Sequence, residues 1–552
     1  MHATDSPELS PAQVLALYPP HHGTVGGLLE SRIAARATHE ALEFERRTWR
    51  YAELGDAAAC MAGILERAGI ERGQAVAFIA DNSDLSALVF LGCAHSGAIF
   101  VPLNPAATDA DLAYVLGHSR PGLVIAQPAD IERVRQLTAR LDPAPRVLAL
   151  AELGLEEATA QGVAARLAER CGRGPAARAQ PQDALVVIYT SGTTGFPKGV
   201  VHTHRTYLLA AEGFVARMHL QPEERLLTVL PFFHINALFY SLGGALACGG
   251  TLIIAPRFSA SAFWSMAAQS RATQFNFLAA IGNILLNRPR AEFDPAHRIA
   301  KVYGGPISER MHSVFRGEFR IPTVLEGYGM TEIPGACCNP YAGPQKMGSI
   351  GVAAVHPSLP GPFSELRILD EEGRELPAGA VGELAVRTPM MFKEYLGDPA
   401  QTAAAFRDGW FLTGDLARRD EEGYFYFVAR KKDIIRRRGE NISGAELDRI
   451  VGEHPSVLEA AAIGVPAELG EEDILVAVLP RPGERVDPAA VLEWCRSRLA
   501  PMKVPRYLVV VDSLPHTPSH RVAKHRLKTD PTLLARAFDA ERAPQAAARP
   551  HG

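Results

Sequence analysis

The chain predicts an α/β protein of several parts: a large N-terminal domain on parallel sheets, a small β-rich subdomain, and a small C-terminal domain of alternating helix and strand. Three observations predict it. At 552 residues the chain is too long for a single core. Between residues 51 and 103 helical and strand patterns alternate, which is the mark of parallel βα units. Beyond residue 362 the pattern turns to short strands with Gly turns, and beyond the basic run 430–438 it changes again.

The elements follow in order. The first 20 residues read as a loose leader. Residues 51–68 place small and apolar side chains at helical spacing, and 74–79 (QAVAFI) read as a short buried strand. Residues 84–97 read as a helix and 98–103 (AIFVPL) as the next strand. Residues 151–182, rich in Ala, Arg and Gly, read as a surface connection of helix and loop. Residues 185–189 (LVVIY) are β-rich and run straight into a Ser/Thr/Gly segment. Residues 362–386 give the β-rich subdomain. Beyond the basic run, 445–451, 457–465, 474–479 and 488–499 alternate helix and strand over about 100 residues, the size of a separate small domain. The end from about Ala537 lacks core-forming residues and reads as disordered. The expected domain borders are 1–429, 434–530 and a tail at 531–552, with 430–433 at the start of the basic run between the first two.

Composition excludes several classes. Apolar residues make up 47% and charged residues 21%, an ordinary globular balance. A net charge of -4 gives no electrostatic case for nucleic acid. The seven cysteines are scattered, odd in number and without a C-x-x-C pair, which argues against a disulfide framework and fits a reducing cytoplasm. The start Met1-His-Ala-Thr-Asp-Ser lacks a basic stretch followed by an apolar run, so no signal peptide is expected. No apolar stretch is long enough to predict a membrane span. Only 9 of the 57 basic residues are lysines, and none precedes Lys198.

The segment Thr190-Ser191-Gly192-Thr193-Thr194-Gly195-Phe-Pro-Lys198-Gly carries the strongest chemistry. Glycines let backbone N–H groups approach phosphate oxygens, hydroxyls add donors, and the lysine adds positive charge. It is not the G-x-x-x-x-G-K-[ST] loop, because this lysine follows Pro and precedes Gly.

This segment resembles the phosphate-binding loop of the acyl-adenylate-forming superfamily: acyl-CoA synthetases, peptide adenylation domains and beetle luciferases. The resemblance covers roughly residues 25 to 530. It implies a large domain of two packed α/β subdomains plus a small β-barrel-like subdomain, followed by a mobile α+β domain. Glu326-Gly-Tyr328-Gly329-Met-Thr331-Glu332 is similar to the second family motif. It implies Tyr328 stacked on adenine, Thr331 at the α-phosphate and Glu332 on Mg²⁺. Trp410-Phe-Leu-Thr-Gly-Asp415 resembles the third motif, with Asp415 on the ribose hydroxyls and Arg430 as a second ribose or phosphate contact. The resemblance makes 430–433 a hinge with its pivot at Lys432 and puts a loop facing the CoA pantetheine at Gly439-Glu-Asn-Ile, while most of Arg436–Arg438 reads as a solvated face. Pro231-Phe-Phe-His234-Ile-Asn resembles the aromatic/His motif beside the acyl pocket. Residues 278–283, 304–306 and 329–334 are expected from the resemblance to line the acid and adenine sites, although Tyr303-Gly304-Gly305-Pro is one residue short of the usual pattern.

The chain departs from the family at its far end. In Leu514-Pro-His-Thr-Pro-Ser-His520-Arg521-Val-Ala-Lys524, Arg521 stands at the position of the family's C-terminal catalytic lysine. Arg521 can do the lysine's work, Lys524 can reach in from one helical turn later, or adenylation is weak or directed at an unusual acid. The leading expectation is an AMP-forming acid–CoA ligase using ATP, Mg²⁺ and CoA on a small carboxylic acid. The stretch around Arg436–Ser443 resembles carnitine/crotonobetaine–CoA ligases. The alternatives are an adenylating enzyme with another acceptor or acid (amide synthesis, nitrite activation) and a non-catalytic nucleotide sensor. Oligomeric state is not readable.

Overall fold

The computed structural model describes residues 8–153, 159–171, 179–190, 197–359, 362–437, 440–467, 471–516 and 522–542. It divides into two compact units. The first takes Met1–Leu366 and Val386–Phe411, the second Arg367–Ala385 and Leu412–Gly552. The expected hinge at 430–433 falls inside the second unit.

Two sheets build the first unit. One runs Glu394–Tyr395, Lys198–Thr203, Ala184–Thr190, Ile99–Leu103, Ala75–Ile79, Leu123–Ala126, Arg146–Ala149. It is parallel from Ala184–Thr190 onward and antiparallel at the edge that carries Lys198. The other sheet has nine strands, with a parallel centre that includes Gln274–Leu278, Lys301–Gly305 and Thr323–Met330. This is the α/β class that the alternation predicts.

The helix Asp84–Ser96 shows why these elements form where they do. Ser83 supplies the cap, and Gly97 ends the helix in the left-handed region at φ 79°. Between them the helix is apolar nearly all round, as a helix enclosed by the core must be. Its buried Asp84 is met by Trp49 Nε1 at 2.8 Å and by the Arg47 guanidinium. An aromatic chain runs from the seven-stranded sheet into the helices packed on it: Phe100 to Phe90 at 5.6 Å, Phe90 to Tyr207 at 5.3 Å, Tyr207 to Phe239 at 4.8 Å. Tyr207 lies on the helix His204–Met218, so that helix is locked into this packing.

The second unit holds most of a small five-stranded sheet, including Trp410–Arg419 paired antiparallel with Phe425–Arg430. It then carries a four-stranded sheet of Val457–Pro466, Glu472–Pro480, Tyr507–Val510 and Phe538–Asp539, with helices Gly444–Gly452 and Pro488–Arg496.

Two expectations are corrected here. The tail does not begin at 531. Pro531–Arg536 is helical with Leu533 buried, and Phe538–Asp539 adds a strand beside Tyr507–Val510. Asp539 is fixed there by Arg506 at 3.3 Å. Nor is Arg437 part of a solvated face. It is buried, donates to Asp473 at 3.0 Å, and caps the carbonyls of Met502 and Val504. Among the described residues no helix is long and apolar enough to cross a membrane.

Candidate active site

The site in the first unit grows from a strand pair. Ala184–Thr190 and Lys198–Thr203 run antiparallel, with Thr190 opposite Lys198. The structure thus fixes both feet of the predicted phosphate loop. Ser191, Gly192, Thr193, Thr194 and Gly195 lie outside the described residues.

Lys198 Nζ stands 4.8 Å from the centre of the Tyr395 ring. The Tyr395 hydroxyl donates to Glu332 Oε1 at 2.8 Å. Burial, then the Glu332 charge, pushes the Tyr395 hydroxyl well above its ordinary pKa, so it keeps the proton it shares. The position is rigid, because Tyr395 sits on a strand paired with Lys198–Thr203, opposite Val200. Lys198 and Glu332 therefore meet the same ring although 134 residues separate their numbers. The sequence gives no local signal for Tyr395.

Thr331 and Glu332 form the tip between strands Thr323–Met330 and Ile333–Cys338. His202 Nε2 bonds the Thr331 carbonyl at 2.7 Å, and His202 Nδ1 meets Thr206 Oγ1 at 3.2 Å. Burial pushes His202 down to about 4, so the ring is neutral at pH 7. The carbonyl requires a donor, which assigns the proton to Nε2 and leaves Nδ1 to accept from the threonine. His202 is a positioning residue that the motif reading missed. Its signal was faint: a histidine four residues after Lys198 on a buried strand.

Glycine is required in this hairpin by close approach. A Cβ on Gly329 would lie 2.4 Å from the Gly335 nitrogen. On the neighbouring strand, a Cβ on Gly304 would lie 2.6 Å from the Phe277 carbonyl oxygen, and Gly304 pairs with Glu326. Gly305 follows it, with Gly327 O 3.2 Å from where its Cβ would lie. Tyr328 is half-buried opposite Cys337. His234 closes a turn by donating its N–H to Pro231 O at 3.0 Å, one step before the helix Asn236–Leu242. Asn283 is exposed.

The second unit brings Asp415 and Arg430 together. They are register partners on paired strands, and Arg430 Nε lies 3.2 Å from Asp415 Oδ1. Glu383 supports the same turn, accepting from the Gly414 N–H at 3.1 Å and from Lys431 at 2.6 Å. Lys432 is exposed in the short 3-10 turn Lys431–Asp433. Gly439 and Arg521 lie outside the described residues. Lys524 Nζ is 2.6 Å from Asp448, whose carboxyl burial pushes up to about 6.

A match over residues 29–396 to the AMP-binding enzyme family, and over 446–521 to its C-terminal domain, covers both units. The chain belongs to the AMP-binding enzyme family. A sulfoacetate–CoA ligase of Cupriavidus necator is 35% identical over 84% of this chain and 90% of its own. A crotonobetaine/carnitine–CoA ligase of Shigella dysenteriae is 31% identical over 87% and 93%. The fold is similar to ATP-bound MatB from Rhodopseudomonas palustris, with a TM-score of 0.81 at 28% identity, over 92% of this chain and 98% of that one. The family match accords with the resemblance carried by the loop and the two later motifs.

The family's Mg²⁺ suits what the residues offer. Glu332 is a buried carboxylate already ordered by a hydroxyl donor, and a hard cation held mainly by phosphates needs one or two such oxygens.

Two predictions follow from this geometry. Tyr395→Phe removes a bond to a charged group, worth about 1.5–3 kcal/mol. Pyrophosphate exchange should slow roughly tenfold or more, with a higher Mg²⁺ requirement; an unchanged rate and Mg²⁺ dependence would show the bond to be idle. The second prediction concerns pH. His202 and His204 are both pushed down to about 4 by burial. The unfolded chain then takes up protons that the fold refuses, so stability is full above about pH 6.5 and falls toward pH 4. Near pH 5 these two groups give a slope of roughly 2.7 kcal/mol per pH unit. Urea unfolding at pH 7 and pH 5 checks it, and equal midpoints would contradict neutral, buried rings.

Proposed function

We propose that this chain is an AMP-forming acid–CoA ligase acting on a small carboxylic acid. The acid carboxylate attacks the α-phosphorus of ATP, forming a C–O–P bond as pyrophosphate leaves. The CoA thiol then attacks the acyl carbon, releases AMP, and leaves a thioester. The observation that carries the reading is the convergence of Lys198, Tyr395 and Glu332 at the feet of a Gly/Ser/Thr loop.

Each residue has a role under this reading. Thr190, Ser191, Gly192, Thr193, Thr194 and Gly195 donate to the phosphates, and Lys198 offsets the charge that builds on them. Thr331 contacts the α-phosphate, with its backbone held by His202. Glu332 would hold Mg²⁺, which when bound withdraws charge from the phosphate oxygens. Tyr328, Gly329, Gly304 and Gly305 form the adenine wall, and His234 borders the acyl pocket. Asp415 accepts from the ribose hydroxyls, with Arg430 beside it. Lys432 is the pivot between adenylation and thioester formation, and Gly439 borders the pantetheine path. Arg521 bridges carboxylate and α-phosphate. Its rival Lys524 is engaged by Asp448, which favours Arg521 for that work.

The test measures AMP release from ATP over an acid panel, with and without CoA, together with acid-dependent pyrophosphate exchange in two variants. Arg521→Ala should slow exchange by about 100-fold or more, the usual scale for one charge-stabilising group. Lys524→Ala should keep exchange while lowering stability. Loss of exchange in Lys524→Ala alone would assign the role to Lys524, and AMP release that is equal without CoA would point to another acceptor.

A further inference from the structure

Arg217 lies on the helix His204–Met218 and is 8% exposed inside the first unit. Three rings enclose it, with centroids 5.8 Å (Phe214), 5.3 Å (Tyr240) and 5.8 Å (Tyr303) from its Cζ. Nη1 donates to the Tyr303 hydroxyl at 3.4 Å. Among the described residues Nε and Nη2 have no hydrogen-bond partner. Among the described residues no carboxylate pairs with it.

Burial works against its charge, while the Tyr303 and Tyr240 hydroxyls and the Cys338 thiol favour it, so that it stays protonated without an ion-pair partner among the described residues. Burial pushes the Tyr240 and Tyr303 hydroxyls up and the Cys338 thiol up to about 12. Burial likewise pushes Glu326, the nearby acid that acts on Cys338, up to about 8. The two phenols and the thiol are neutral at pH 7, and Glu326 forms no ion pair with Arg217 among the described residues. A buried charge without a counter-ion is costly, and cation–π contacts return only part of that cost. The two empty donors matter most. Nε–H and Nη2–H share one edge of the guanidinium, the fork that fits two oxygens of one anionic group.

The place of this cation points to its ligand. A Cβ on Gly335 would lie 1.7 Å from Nη1, and a Cβ on Gly327 would lie 2.5 Å from the Tyr303 hydroxyl. Both glycines belong to the hairpin that carries Tyr328, Thr331 and Glu332. Gly335 stands three residues past Glu332, about 10 Å along a strand. Tyr240 belongs to the helix that follows His234. The fork therefore sits a short molecule's length from the candidate adenylation point.

We infer that Arg217 recognises a second anionic group on the acid, so that the preferred substrate is a compact dianionic acid, a carboxylate bearing a further carboxylate or sulfonate a few carbons away. The reacting carboxylate lies at the Thr331 tip, and the other end fills the Nε/Nη2 fork. This rests on the acid–CoA ligase reading above.

The test compares kcat/KM, read as AMP release with ATP and CoA, for short dicarboxylates and sulfocarboxylates against monocarboxylates of equal length. The wild-type chain should favour the dianionic acids by about 100-fold or more. In Arg217→Met that preference should fall at least 100-fold, chiefly through KM, and Arg217→Lys should retain part of it. An ATP-induced rise in melting temperature shows that each variant is folded. A wild-type preference for monocarboxylates overturns the inference, and needs no variant. An unchanged preference in folded Arg217→Met also overturns it, leaving Arg217 a structural cation only. AMP release from none of the acids overturns the ligase reading itself, and is told apart from the other outcomes because no acid then turns over.

Discussion

The hydrogen bond from Tyr395 to Glu332 is the constraint around which the first unit is arranged. It joins the tip of a hairpin in the nine-stranded sheet to an edge strand of the seven-stranded sheet. The same ring gives its face to Lys198, so one tyrosine orders both a carboxylate and an ammonium. The carboxylate is buried, and its geometry is set by a donor that keeps its proton. On the proposed reading, the oxygen that would hold Mg²⁺ and the cation that would meet the phosphates are thus preorganised before any nucleotide arrives, which is where electrostatic catalysis gains most. The Phe392 N–H, donating to the Glu332 carbonyl at 2.8 Å, ties the backbone of the same two segments.

Around that bond the rest of the unit supplies alignment. His202 holds the Thr331 carbonyl from one side. The helix His204–Met218 starts directly after the strand of His202 and ends at Arg217 and Met218. A single strand–helix element therefore bears Lys198, the hairpin clamp and the buried arginine in succession. On the proposed reading these three meet the nucleotide phosphates, the reacting centre and the far end of the acid. The second unit presents Asp415 with Arg430 on paired strands, the pair proposed for the ribose.

The motifs were legible because they are local. Thr190 to Lys198 and Glu326 to Glu332 each hold their chemistry within ten residues, and strand–turn patterns around them gave the α/β class. What stayed hidden depends on distant partners. Tyr395 matters only because a strand pairing places it against Glu332, 63 residues away in sequence. Arg217 looked like one more arginine in an arginine-rich chain, and only packing against Tyr240 and Tyr303 isolates it. Arg437 was read as solvated because its partner Asp473 lies on another strand. Residues 531–539 look poor in core formers, yet Leu533 and the Arg506–Asp539 pair hold them in place.

The central claim is adenyl transfer at the Lys198–Tyr395–Glu332 cluster, and oxygen labelling tests it most directly. The acid is supplied with ¹⁸O in its carboxylate, with ATP, Mg²⁺ and CoA, and the products are weighed by mass spectrometry. Attack on the α-phosphorus requires one labelled oxygen in the AMP and none in the pyrophosphate. Label in inorganic phosphate with ADP formed, or unlabelled AMP beside a thioester, would contradict it.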